Sequence, residues 1–207
     1  MLIDKYWKIE EKLFPKNFFY RHSKLVAPDL IGCHLIKKNN EIDQVRGVIV
    51  ETEAYSQEEE ACHGFRKMTE SNKSLFGNPG TFYIYKSYGI HHCLNIVTDK
   101  ENFASGVLIR AVYISKNDER LASGPGLVTR TFDIDISFNS LDVLNNKSLC
   151  ITPRNSDLDE KDLIQTTRIG ISKAKNIKWR WYLKNSRSVS KRLKGDISPK
   201  SSIHSSL

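Results

Sequence analysis

Cysteine is scarce and scattered in this 207-residue chain. Cys33, Cys62, Cys93 and Cys150 form no C-x-x-C pair, so neither a zinc ribbon nor a disulfide framework is expected, and all four read as buried thiols. No apolar run approaches the ~20 residues that a membrane span needs. The opening residues, MLIDKYWKIEEKLF, carry acids early and no apolar signal region. The expectation is a soluble intracellular protein of the cytoplasm and nucleoid, or of the nucleus in a eukaryote. No internal repeat is present. Acids are almost missing from the C-terminal part: from Gln165 to Leu207 there are eleven Lys/Arg and one acid, Asp196. That stretch carries +10 of a total of +8, which leaves the first 164 residues at −2. Such asymmetry points to a polyanionic partner, nucleic acid above all.

What the chain does have is apolar and aromatic residues, 39% and 10%, enough for one domain with its own core. The domain is placed at 1–190. A basic Ser/Lys-rich tail, 191–207, is expected to be flexible, with disorder setting in near Ser186. Tyr6, Trp7, Ile9 and Leu13 fall at helical spacing over 4–14. Ser23 is an N-cap and Gly32 a C-cap for a second helix. Strands at 33–37 and 44–55 pair as a hairpin, and strands at 81–86 and 91–97 form another with Tyr88 near its tip. Between them, 57–66 reads as a short helix or ordered loop. Gly106–Tyr113 is an apolar strand broken only by Arg110, which needs a carboxylate or an anionic ligand beside it. Ser123-Gly124-Pro125-Gly126 opens a helix over 127–132 whose N-terminus suits an anion. Short β pieces follow at 149–151, 167–171 and 179–183. Hairpins without regular βαβ alternation give an α+β domain: a curved, mostly antiparallel sheet, flanking helices and a protruding β-hairpin.

The chemistry is concentrated between Val48 and Asn95. Glu51, Glu53 and Tyr55 share one strand face, because side chains alternate with period two. Two acids on a face are costly to bury without partners, so they are expected to line solvent or a polar cleft. A lone His63, a turn at Asn78-Pro79-Gly80, the aromatic ladder Phe82, Tyr83, Tyr85 and Tyr88, and then Asn95 complete the stretch. Acid, tyrosines and histidine suit a site that grips a flat aromatic group and moves a proton. His91-His92-Cys93 does not read as a metal centre, since adjacent strand residues face opposite ways.

These residues carry a resemblance. Glu51-Thr52-Glu53-Ala54-Tyr55, His63, Pro79-Gly80-Thr81-Phe82-Tyr83-Ile84-Tyr85 with Tyr88-Gly89, Asn95, Leu108-Ile109-Arg110-Ala111, Ser123-Gly124-Pro125-Gly126, Arg168-Ile169-Gly170-Ile171 and Trp179-Arg180-Trp181 follow one another in the order seen in a known family. The chain resembles the alkyladenine (3-methyladenine) DNA glycosylases, over roughly Phe18 to Ser190. The resemblance implies a monofunctional purine DNA glycosylase. Such an enzyme flips alkylated purines, hypoxanthine or etheno-adenine from double-stranded DNA and hydrolyses the N-glycosidic bond, leaving an abasic site. It implies no metal or organic cofactor, and a monomer. By the same resemblance Glu53 is the catalytic carboxylate and Arg110 stands beside it. Tyr55, His63, Tyr85 and Asn95 form the base pocket, and Tyr88 is the wedge in the DNA. Arg168, Lys178 and Arg180 are candidates for contacts to the DNA backbone. Leu127 follows Gly126 where a lysine is often seen, which leaves any phosphate contact there to the backbone amides. The alternative is a non-catalytic nucleic-acid-binding domain on the same scaffold. A lyase would need an amine nucleophile, and alternation turns Lys86 away from Tyr85.

Overall fold

The computed structural model of the chain describes residues 13–39, 43–115 and 118–200. The helix expected at 4–14 lies outside them apart from Leu13 and Phe14, which are not helical.

A single long strand organises the sheet. Gln44–Ser56 (β2) is rich in β-branched residues, which fit a pleated surface. Along one edge it pairs first with His34–Lys38 (β1) and further on with Arg180–Leu183 (β8). Its other edge takes Ser105–Tyr113 (β5). Beyond β5 come His91–Val97 (β4) and Phe82–Ser87 (β3), the second hairpin. Leu149–Thr152 (β6) extends the sheet past β1, and Leu163–Thr166 (β7) pairs with β8. All pairings are antiparallel, as expected for an α+β domain built from hairpins. The β piece expected at 167–171 is absent; the strand runs over 163–166, and the chain leaves the sheet at Thr167.

Two short helices cover the main core. Ser23–Asp29 (α1) lies on β2 and β5, and Pro125–Thr131 (α2) lies on β4 and β5. His22, not Ser23, caps α1: its Nδ1 accepts from Lys24 N–H. Ser23 is buried and donates its hydroxyl to the Tyr55 carbonyl instead. Leu30 is the C-terminal cap, with Gly32 two residues beyond at φ +87°. Phe82, Ile84, Leu94, Ile96, Val107 and Ile109 point into the core beneath the helices. The alternate residues of β3, Tyr83 and Tyr85, face the other way. There they meet a smaller cluster of Cys62, Leu75, Phe76, Val97 and Ala104.

The segment 57–72 is an ordered loop without a helix. It is tied down by Gln57, whose N–H donates to Ala104 O, and by Asn72, whose Nδ2 donates to the carbonyls of His63 and Lys67. Gly64 packs so tightly that an added Cβ would stand 2.1 Å from the Ala104 Cβ. Residues 186–196 depart from the flexible tail expected there. Ser186, Ser188 and Val189 are buried, and Asp196 accepts from Tyr182 Oη and Arg192 Nη1.

Candidate active site

A cavity of about 550 Å³ opens on the Tyr83/Tyr85 face of the sheet. Tyr55 from β2, Tyr83 and Tyr85 from β3, Cys93 and Asn95 from β4, and Leu108 and Arg110 from β5 line it. Period-two alternation explains the set: each pair lies two apart on its strand, so both members reach the same face. His63 comes from the ordered loop, and Ile169-Gly170-Ile171 close the wall opposite.

The acids are not exposed in a cleft, as the sequence suggested. Glu51 and Glu53 are both fully buried, and each has partners. Glu53 Oε2 accepts from Tyr55 Oη at 2.8 Å and from Arg110 Nη1 at 3.3 Å, while Oε1 accepts from Ile169 N–H at 2.8 Å. All three donors belong to residues that line the cavity, so Glu53 lies immediately behind its floor. Paired bulges in β2 and β5 set this up. Val50 is an extra residue on β2 and Arg110 an extra one on β5, which re-aims the side chains between them. Arg110 then sits between two carboxylates, Nη1 on Glu53 and Nε 3.5 Å from Glu51 Oε1. The requirement that Arg110 have a carboxylate partner is met twice.

Burial pushes the Glu53 carboxyl up from its ordinary value, against the opposing pull of Arg110, Ile169 N–H and Tyr55. Its basicity is thereby increased. Burial and the neighbouring Glu53 hold Tyr55 far above the usual phenol range, so it stays a donor to that carboxylate. Burial lowers His63, which favours the neutral ring. A buried group of two acids and two arginines is costly compared with apolar packing, and its place behind a cavity makes it a functional-site candidate.

Around the cavity the rings are arranged in contact. Tyr83 and Tyr85 stack with centroids 5.5 Å apart, and the His63 ring meets Tyr85 edge-on at 4.4 Å. His63 Nδ1 is 3.0 Å from Tyr83 Oη. Tyr83 was part of the ladder in the sequence but had no role assigned; its shared parity with Tyr85 is the signal that finds it. Asn95 is buried, and its Nδ2 donates to the carbonyls of Tyr83 and Cys93, so it is held rigidly against the cavity. Lys86 reaches the cavity edge despite its alternation away from Tyr85.

Tyr88 stands at the hairpin tip on the cavity rim, 92% exposed and at φ +49°, with Ile90 exposed beside it. A large aromatic left in water at a tight turn, in a conformation uncommon for a non-glycine residue, is an unusual placement.

Two of the three residues expected to contact the DNA backbone are buried, contrary to the exposed placement such a contact suggests. Arg168 is buried, bidentate on Glu59 at 2.6 and 2.8 Å, and stacked 4.6 Å behind the Tyr55 ring. Arg180 is buried on Glu51 at 2.8 Å. Both guanidinium groups are engaged by carboxylates inside the protein. Both are internal counter-ions, because the acids of β2 and the following loop need cations nearby. Lys178 is exposed.

The methylpurine-DNA glycosylase profile matches residues 17–187. The chain belongs to the methylpurine-DNA glycosylase family. A protein of Trichodesmium erythraeum named "Putative 3-methyladenine DNA glycosylase" is 41% identical over 197 residues, 87% of this chain and 98% of the relative. A protein of the same name from Carboxydothermus hydrogenoformans is 40% identical over 192 residues, covering 87% of this chain and all of the relative. The family and the names of these relatives support DNA glycosylase activity for the chain. No helix among the described residues is long and apolar enough to cross a membrane.

Proposed function

We propose that the chain acts as a monomeric, monofunctional glycosylase on damaged purines in duplex DNA. The observation that carries this reading is Glu53: a buried carboxylate joined to Tyr55, Arg110 and Ile169 N–H, directly behind an aromatic cavity. The cavity takes the flipped purine, with Tyr55 on one side and His63 with Tyr85 on the other. Stacking of this kind is worth about 1–3 kcal/mol per base. Asn95, fixed by two carbonyls, crowds the exocyclic amino group of guanine. Tyr88 enters the duplex and fills the space the nucleotide leaves, offsetting part of the unstacking cost. Lys178 contacts the backbone.

A carboxylate has about four acceptor directions. Two on Oε2 and one on Oε1 are taken, so the free one is on Oε1, beside Ile169. A water bound there donates a proton to Glu53 while its oxygen attacks C1′. The glycosidic electron pair leaves with the purine, and the anionic carboxylate stabilises the oxocarbenium-like state. Arg110 keeps Glu53 ionised until that moment. Duplexes carrying one alkylated purine, one hypoxanthine or one etheno-adenine test the reading directly. Abasic product from at least one is expected; intact duplex in every case would refute it.

A further inference from the structure

Glu51 does not line the cavity and meets its lining only through Arg110 Nε, 3.5 Å away, yet both its oxygens are occupied. Oε1 accepts from Arg180 Nη1 at 2.8 Å, and Oε2 accepts from Ser190 N–H at 2.7 Å. The same Arg180 nitrogen donates to Lys191 O at 2.7 Å. The segment that supplies these groups is well anchored. Arg120 Nη1 donates to Val189 O at 2.7 Å and to Arg187 O at 3.2 Å. Tyr182 Oη donates to Asp196 Oδ2 at 2.6 Å. Ser190 and Lys191 lie beyond residue 187, where the family match ends.

We infer that residues 186–196 are a strap that positions Arg110: by saturating the Glu51–Arg180 pair, they leave the Arg110 guanidinium to Glu53. The inference rests on the reading of Glu53 as the base. Its physics is competition. Arg110 Nε stands 3.5 Å from Glu51 and Nη1 3.3 Å from Glu53, so neither contact is tight. If the Ser190 donor is lost, Glu51 keeps a bare oxygen in a buried site, where an unmatched acceptor is costly. The other cation beside Glu51 is Arg110, 3.5 Å away, and it turns toward Glu51 at the expense of Glu53. Glu53 also faces Tyr55 and Glu51 on β2, Tyr85 on β3 and Cys93 on β4, none of which brings a second cation. With Arg110 drawn away, Glu53 takes up its proton at higher pH and orients its water less well. A misplacement of this kind costs about 100-fold in rate.

The test uses the full chain, a chain ending at Asn185, a chain ending at Ile197, Arg120→Met, Ser190→Pro and Glu53→Gln. Single-turnover excision is followed across pH, with duplex affinity and thermal unfolding measured in parallel. The chain ending at Asn185 is expected to lose about 100-fold in rate under saturating enzyme, with its acid limb moved to higher pH, whereas Arg120→Met and Ser190→Pro retain affinity for lesion duplex. Arg120→Met and Ser190→Pro shift the limb the same way, and they decide the matter if the shortened chain does not fold. The chain ending at Ile197 keeps the full rate. An acid limb that stays in place in Arg120→Met and Ser190→Pro would overturn the inference, even if the melting temperature drops, because that is what a merely structural segment would do. Excision by Glu53→Gln at the full-chain rate would instead overturn the reading of Glu53, and the inference with it.

Discussion

Replacing Arg168 with methionine separates two roles that the sequence alone confuses. The side chain is buried and bidentate on Glu59, itself only 6% exposed. Removing the guanidinium strands a carboxylate in the interior, which costs about 3–5 kcal/mol. In a domain of this size each kcal/mol lowers Tm by about 2–4 °C, so a drop of roughly 6–20 °C is expected. Arg168→Met combined with Glu59→Leu should recover most of that loss, since the bare charge goes too. The rate should fall as well, because Arg168 backs the Tyr55 ring at 4.6 Å and its neighbour Ile169 donates to Glu53. Urea unfolding of both singles and the double, with DNA affinity measured against salt, decides between the roles. A phosphate contact would lower the slope of log K against log salt by about 0.9; a buried counter-ion leaves it unchanged. A stability loss under about 1 kcal/mol together with a reduced slope would refute the buried-pair argument.

Three further outcomes follow. Tyr88→Ala should weaken binding to a lesion in duplex by about 1–3 kcal/mol and leave single-stranded lesion DNA unaffected; equal losses on both would remove Tyr88 from the wedge role. Because burial raises Glu53, the excision rate should fall on acidification at a pH above the ordinary carboxylate value of 4.5, and a rate still flat at that pH would contradict the direction of the shift. Burial, aided by Arg46, pushes His34 down to about 4 from 6.5. Above 6.5 both folded and unfolded chains hold it neutral; between 6.5 and about 4 only the unfolded chain takes up the proton, so stability is lost as pH falls through that window. The loss is on the order of 3 kcal/mol, and His34→Asn should flatten it in urea unfolding at pH 7 and 4.5; identical curves would oppose this.

The strands and the hairpins were legible because period-two alternation and β-branched runs are local signals. The same parity placed Glu51, Glu53 and Tyr55 on one face of β2, and the lone charge in an apolar strand predicted a carboxylate for Arg110. What parity does not carry is which acid meets which base across the chain. Arg168 and Arg180 stand in a basic region and read as phosphate ligands, but their partners Glu59 and Glu51 lie more than a hundred residues earlier. The Ser/Lys-rich composition of 186–196 likewise suggested solvent, although its backbone groups serve a buried carboxylate. The cap at His22 was missed because a serine one residue later has the stronger intrinsic preference.

The most direct measurement is single-turnover excision by the wild-type chain and by Glu53→Gln on the duplex the wild type processes best, with affinity for that duplex measured alongside. The account predicts abasic product from the wild type, a loss of at least about 100-fold in the variant, and similar affinity for both. Excision by Glu53→Gln at the wild-type rate would contradict it, as would a loss of binding as large as the loss of rate.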